Sequence, residues 1–107
     1  WRLPADLGRT YAGVSGDHNP IHLYPLTAKA FGFPRQIAHG MWTKAHCLAA
    51  ISDKLPDSFT VDVEFKKPIL LPGAVVFGST TKGKKTTFGV QDAHSSAPHV
   101  VGRVSPV

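Results

Sequence analysis

The chain has 107 residues, of which 42% are hydrophobic and 18% charged, with a formal net charge of +5 and one cysteine, Cys47. That is enough for one domain with a modest core, spanning 1–107 as a single unit. No apolar run approaches the roughly 18 residues of a membrane span. A lone cysteine excludes an internal disulfide and a zinc–thiolate cluster, and points to a reducing, cytoplasmic compartment.

The start, WRLPADLG, carries neither an initiator methionine nor a signal-peptide pattern. The chain is therefore expected to be part of a longer one. The positive charge invites an anionic partner. Its densest groups, Lys66-Lys67 and Lys82, Lys84, Lys85, lie near strand ends and read as solubilising charge. The ten aromatics fall mostly at core positions of the patterns below, without the basic–aromatic interleaving of single-strand binders. No nucleic-acid partner is expected.

In chain order, PADLGRTYAGV (4–14) puts Leu7, Tyr11 and Val14 at helical spacing. Pro4 suits the first turn, and Gly13 and Gly16 end the helix. Asn19-Pro20 blocks continuation, because a residue before proline disfavours the α region. PLTAKAFGF (25–33) predicts a second short helix with Leu26, Ala30 and Phe31 inward and Gly32 as its stop. HGMWTKAHCLAAISD (39–53) predicts the longest helix, largely buried, with Met41, Ala45, Leu48, Ala49 and Ser52 on one stripe.

From residue 59 the period becomes two. In FTVDVEF, Phe59, Val61, Val63 and Phe65 alternate with Asp62 and Glu64. AVVFGSTT (74–81) and KTTFGVQDA (85–93) flank a hairpin turn at Lys82-Gly83-Lys84. HVVGRVS (99–105) is a fourth strand. Pro68 and Pro72 bracket ILL and predict a kink or edge crossing. Helices followed by an antiparallel meander make an α+β domain. A sheet wrapped around one central helix is the hotdog arrangement, here with its first strand absent or reduced to Trp1-Arg2-Leu3.

The segment SGDHNPIH (15–22) gathers an aspartate and two histidines on a bent loop. Asp17 and His22 are five apart and would not share a helix face. Bent at Asn19-Pro20, the loop lets them converge on one water. His18 and His22 are four apart, but Pro20 breaks the helix that would align them as ligands, so no metal is expected.

YAGVSGDHNPIH, with FGFPRQIAHGMW and FKKPILLPG after it, resembles the MaoC-like dehydratases, the (R)-specific enoyl-thioester hydratases. The wording of 4–45 is similar to the C-terminal halves of two-hotdog actinobacterial members. The resemblance implies hydration of trans-2-enoyl thioesters, or the reverse dehydration, on a coenzyme A or acyl-carrier-protein thioester, with no cofactor. It implies Asp17 and His22 as the catalytic pair, Asp17 as base and His22 as proton donor or second water ligand. Gly40 N–H would be the oxyanion donor, at the positive end of the helix dipole. Ser15, Gly16, Asn19 and Pro20 would shape the loop, and His39 would pack or orient. The helix holds no serine between Gly40 and Ile51, although some relatives place a supporting hydroxyl there. A homodimer, or pairing with a second hotdog domain, is expected. The alternative is a non-catalytic hotdog half that binds an acyl chain or completes a partner.

Overall fold

The computed structural model describes all 107 residues. Its elements are β1 (Arg2–Leu3), α1 (Leu7–Ser15), a 3-10 turn (Pro20–His22), α2 (Pro25–Ala30), α3 (Gly40–Ala50), a second 3-10 turn (Ser52–Lys54), β2 (Phe59–Phe65), β3 (Gly73–Lys82), β4 (Lys85–Asp92) and β5 (Pro98–Pro106). The strands form one antiparallel sheet in the order β1-β3-β4-β5-β2. The first strand is present in the reduced form, two residues paired to Ala74 and Gly73.

The sheet departs from a simple meander. β2 pairs along its whole length with β5, from Phe59↔Pro106 to Phe65↔Val100, and so lies at the edge opposite β1. Residues 66–72 carry the chain back across the sheet to β3. Pro68 and Pro72 lack the N–H groups that would let this strap join a neighbouring strand as a regular ladder. The strap leaves β5 after the Lys66 and Lys67 N–H groups bond the His99 and Pro98 carbonyls, and then makes single backbone bonds with residues 36–38. Lys82 pairs with Lys85, so the hairpin turns on Gly83-Lys84, with Gly83 at φ 63°.

The core lies between α3 and one face of the sheet. Cys47 and Ile51 meet Val75, Phe88, Val90, Val100 and Val104, with Leu3, Ile69 and Leu71 closing the sides. The helix enters by a different face from the one predicted. Thr43, Cys47 and Ile51, each four apart, are buried, whereas Met41 is 58% exposed. Apolar residues surround this helix almost entirely, so period alone does not select a face; contact with the sheet does. The prediction for α2 fails similarly. Ala28 is its buried residue, and Leu26 and Phe31 face outward. Thr27 Oγ1 donates to the Pro20 carbonyl at 2.8 Å, docking α2 on the 20–22 turn. No helix is long and apolar enough to cross a membrane. Together these elements build the hotdog arrangement, a sheet curved about one helix.

Ile51 is 1% exposed and Cys47 fully buried. Truncating Ile51 to alanine is expected to cost about 2–5 kcal/mol, read from urea unfolding. Burial pushes the Cys47 thiol up to about 11. A disulfide reagent is therefore expected to label Cys47 only as fast as the domain opens.

Candidate active site

The loop after α1 is built from successive short hydrogen bonds. Gly16 ends α1 at φ 80°, its N–H on the Ala12 carbonyl. Ser15 Oγ accepts the Asp17 N–H (3.1 Å), Asp17 Oδ1 accepts the Asn19 N–H (3.1 Å), and Asn19 Oδ1 accepts the Ile21 N–H (3.2 Å). Pro20 then opens the 3-10 turn that carries His22. Each link spans two residues, the reach of short polar side chains to nearby backbone. The series leaves Asp17 Oδ2 without a backbone partner.

His22 is buried. Its Nδ1 lies 2.7 Å from the Ile37 carbonyl. A carbonyl only accepts, so Nδ1 carries the hydrogen and the neutral ring keeps its lone pair on Nε2. Burial pulls the His22 pKa below its ordinary 6.5, with the neighbouring His39 acting in the same direction; the bond to Ile37 and the Asp17 charge oppose this.

His39 precedes α3 and lies against both groups. Its Nε2 donates to the Asp17 backbone carbonyl (2.9 Å) and stands 3.8 Å from Asp17 Oδ2. Its ring stacks on His22, with centroids 3.8 Å apart, and meets Tyr11 edge-on at 4.8 Å. Asp17, His22 and His39 each offer an atom within 4.8 Å of the others. The composition suits a divalent cation, but the His39 nitrogen facing the carboxylate already donates its hydrogen to a carbonyl. His18 is turned outward on Gly16 and takes no part.

A cavity of about 350 Å³ opens beside His22. Phe33, Ile37, Ala38, Ile69 and Val100 supply its apolar wall, and Gly40, Thr43 and His99 its other sides. Asp17 is not among the lining residues; its side chain is 53% exposed at the rim. As the first residue of α3, Gly40 has an N–H with no acceptor in the helix. A Cβ at Gly40 would come within 3.0 Å of the Phe65 ring, which covers that end of the cavity.

Two further residues shape the site. Thr43, 2% exposed, lines the cavity, and its Oγ1 donates to the His39 carbonyl one turn earlier at 3.3 Å. Gly8 is the second. A Cβ there would collide with the His22 carbonyl, so α1 approaches the 20–22 turn only through glycine.

The match to the MaoC like domain covers residues 4–103. The chain belongs to the MaoC-like dehydratase family. Over 64 residues it is 58% identical to 3-hydroxyacyl-thioester dehydratase X of Mycobacterium tuberculosis, covering 60% of this chain and 23% of that relative. Enoyl-CoA hydratase ChsH3 from the same organism is 51% identical over 45 residues, or 42% of this chain and 16% of that one. The crystal structure of HtdX from M. tuberculosis superposes with a TM-score of 0.94 at 38% identity, covering all of this chain and 46% of the other. The chain thus spans less than half the length of these relatives. The relatives are hydratases and dehydratases by name, which supports a lyase chemistry for the domain.

Two outcomes follow from the geometry of His22. Gly8→Ala is expected to destabilise the fold by about 1–3 kcal/mol, as overpacking does, and to disturb the ring stack, seen as shifted His22 and His39 ring signals in NMR. The depressed His22 pKa makes the folded state bind fewer protons than the unfolded chain as pH falls below 6.5. Stability from this group is therefore intact above 6.5 and lost as pH drops through the folded value. Replacing His22 with glutamine should flatten that part of the stability–pH curve.

Proposed function

We propose that this domain hydrates trans-2-enoyl thioesters to (R)-3-hydroxyacyl thioesters, or runs the reverse dehydration. The observation that carries the reading is the convergence of Asp17 and His22 beside a cavity that Gly40, the first residue of α3, also lines. In this reading one water donates a hydrogen to Asp17 Oδ2 and the other to His22 Nε2. Neutral His22 has no proton on Nε2 to give, so it acts as the second water ligand. Asp17 takes the water proton as the oxygen bonds to C3 of the alkene. Electrons move through the conjugated system onto the thioester oxygen. Gly40 N–H, at the positive end of α3, stabilises that charge. The proton then passes to C2 on the same face, giving syn addition. Atoms balance without a cofactor or metal.

His39 holds the Asp17 backbone and packs the His22 ring, a positioning role. Ser15, Gly16, Asn19 and Pro20 keep the loop in one shape. The substrate would be a coenzyme A or acyl-carrier-protein thioester in a cytoplasmic compartment. The domain would work as a homodimer or beside a second hotdog domain. The half-exposed Asp17 carboxylate favours such a neighbour, since water exclusion would strengthen its part in the chemistry. It also keeps in view a non-catalytic half-domain that binds an acyl chain.

The test is hydration of crotonyl-coenzyme A, followed as loss of enoyl absorbance, by the chain alone and with its flanking sequence. Asp17→Asn and His22→Gln are each expected to lower kcat by about 10²–10⁴ with the circular dichroism unchanged. Turnover near the unsubstituted level in both variants rejects the reading. No turnover in any form, with an acyl thioester still bound, favours the half-domain.

A further inference from the structure

Register along β5 breaks at one residue. Val90 of β4 pairs with Val100, but the next residue, Gln91, pairs with Pro98. His99 is therefore the extra residue of a β-bulge. Regular alternation with the inward Val100, Gly102 and Val104 would turn His99 outward. The bulge turns it in, and His99 and Val100 are consecutive buried residues at 7% and 3% exposure.

The ring is then fixed by its neighbours. His99 Nδ1 lies 2.9 Å from the Lys67 carbonyl, and the Lys66 N–H donates to the His99 carbonyl at 2.7 Å. The carbonyl acceptor puts the hydrogen on Nδ1 and leaves an acceptor lone pair on Nε2. Nε2 has no partner in the protein. It is not sealed off either, since the only buried side-chain polar atoms lacking a partner are Gln36 Oε1 and His39 Nδ1. His99 lines the same cavity as His22 and Gly40, next to Lys66 and Lys67. Both lysines are exposed, and His99 also lines a second, smaller cavity with Arg35, Lys67 and Asp92, so it stands between two openings on this side of the sheet.

An acceptor held open in a mostly apolar wall calls for a donor on the ligand. Enoyl groups and thioesters have none. The pantetheine arm, common to coenzyme A and acyl carrier protein, carries amide N–H donors and must cross the mouth of the cavity. We propose that His99 is a substrate-binding residue whose Nε2 accepts a hydrogen bond from an amide N–H of the pantetheine arm. This rests on the thioester reading above and adds the residue that recognises the carrier arm.

His99→Asn separates the two bonds, because its amide can still donate to the Lys67 carbonyl while the Nε2 acceptor is gone. The expected result is a fall of about tenfold in kcat/KM for crotonyl-pantetheine, mostly in KM. Crotonyl-coenzyme A and crotonyl-acyl carrier protein should fall equally, and the S-ethyl thioester, which has no amide, should be unchanged. Unaltered kinetics on crotonyl-pantetheine overturn the proposal, as does a loss confined to the coenzyme A ester, which would assign the contact to the nucleotide. A binding measurement keeps this apart from the hydratase reading. In protein labelled with ¹⁵N-histidine, free pantetheine should move the unprotonated Nε2 signal of His99 whether or not turnover occurs. A His99 signal unmoved at saturation rejects the contact even in an active enzyme.

Discussion

The arrangement depends on three residues of extended backbone, Gln36 to Ala38, held from both sides. On one side the Ile37 N–H donates to the Ile21 carbonyl at 2.9 Å, and the Ile37 carbonyl accepts the buried His22 Nδ1–H. On the other, the Ala38 N–H donates to the Ile69 carbonyl and the Leu71 N–H to the Gln36 carbonyl, each at 2.9 Å. The segment thus joins the histidine turn, the strap crossing the sheet and the first turn of α3. Its bonds lie in or beside the core, where an unmade bond costs more than a made one contributes. Moving the histidine turn or the strap would orphan backbone groups on the 36–38 segment.

That rigidity explains the electrostatics. Two imidazoles stacked at 3.8 Å could not both be charged without strong repulsion. Each gives its hydrogen to a backbone carbonyl, Ile37 for His22 and Asp17 for His39. The fold thereby fixes which ring nitrogen of each histidine carries a hydrogen, and burial of His22 disfavours its charged form. Asp17 is left as the negative group at the rim, with the α3 amino end facing the cavity. Asp17, His22 and Gly40, the residues given roles in the proposed reaction, are thus brought together around one segment, 36–38, that bonds the histidine turn and leads into α3.

How far this could be read from sequence follows from distance along the chain. The 15–21 loop was legible because its side chains bond backbone two residues away. β2 to β5 were legible because one buried face imposes alternation. The pairing of β2 with β5 was not, since the strap's crossing is set by residues 36–38, some thirty positions earlier. The inward face of α3 was hidden by alanines and apolar residues all round it. Thr43 gives no signal in sequence, because a helical threonine that back-bonds its own helix looks the same wherever it faces. His99 was lost for a physical reason: a bulge shifts the period by one, and no local signal in HVVGRVS marks it. His39 reads in sequence as a packing or orienting residue, while its bond to a carbonyl 22 residues away belongs to the folded state alone.

The most direct measurement is a crystal structure of the Asp17→Asn variant holding crotonyl-coenzyme A. The account predicts the thioester oxygen within hydrogen-bond distance of the Gly40 N–H, with one water between His22 Nε2 and the third carbon of the acyl chain. A thioester bound elsewhere, or a His22 ring with Nε2 turned away from that carbon, would contradict it.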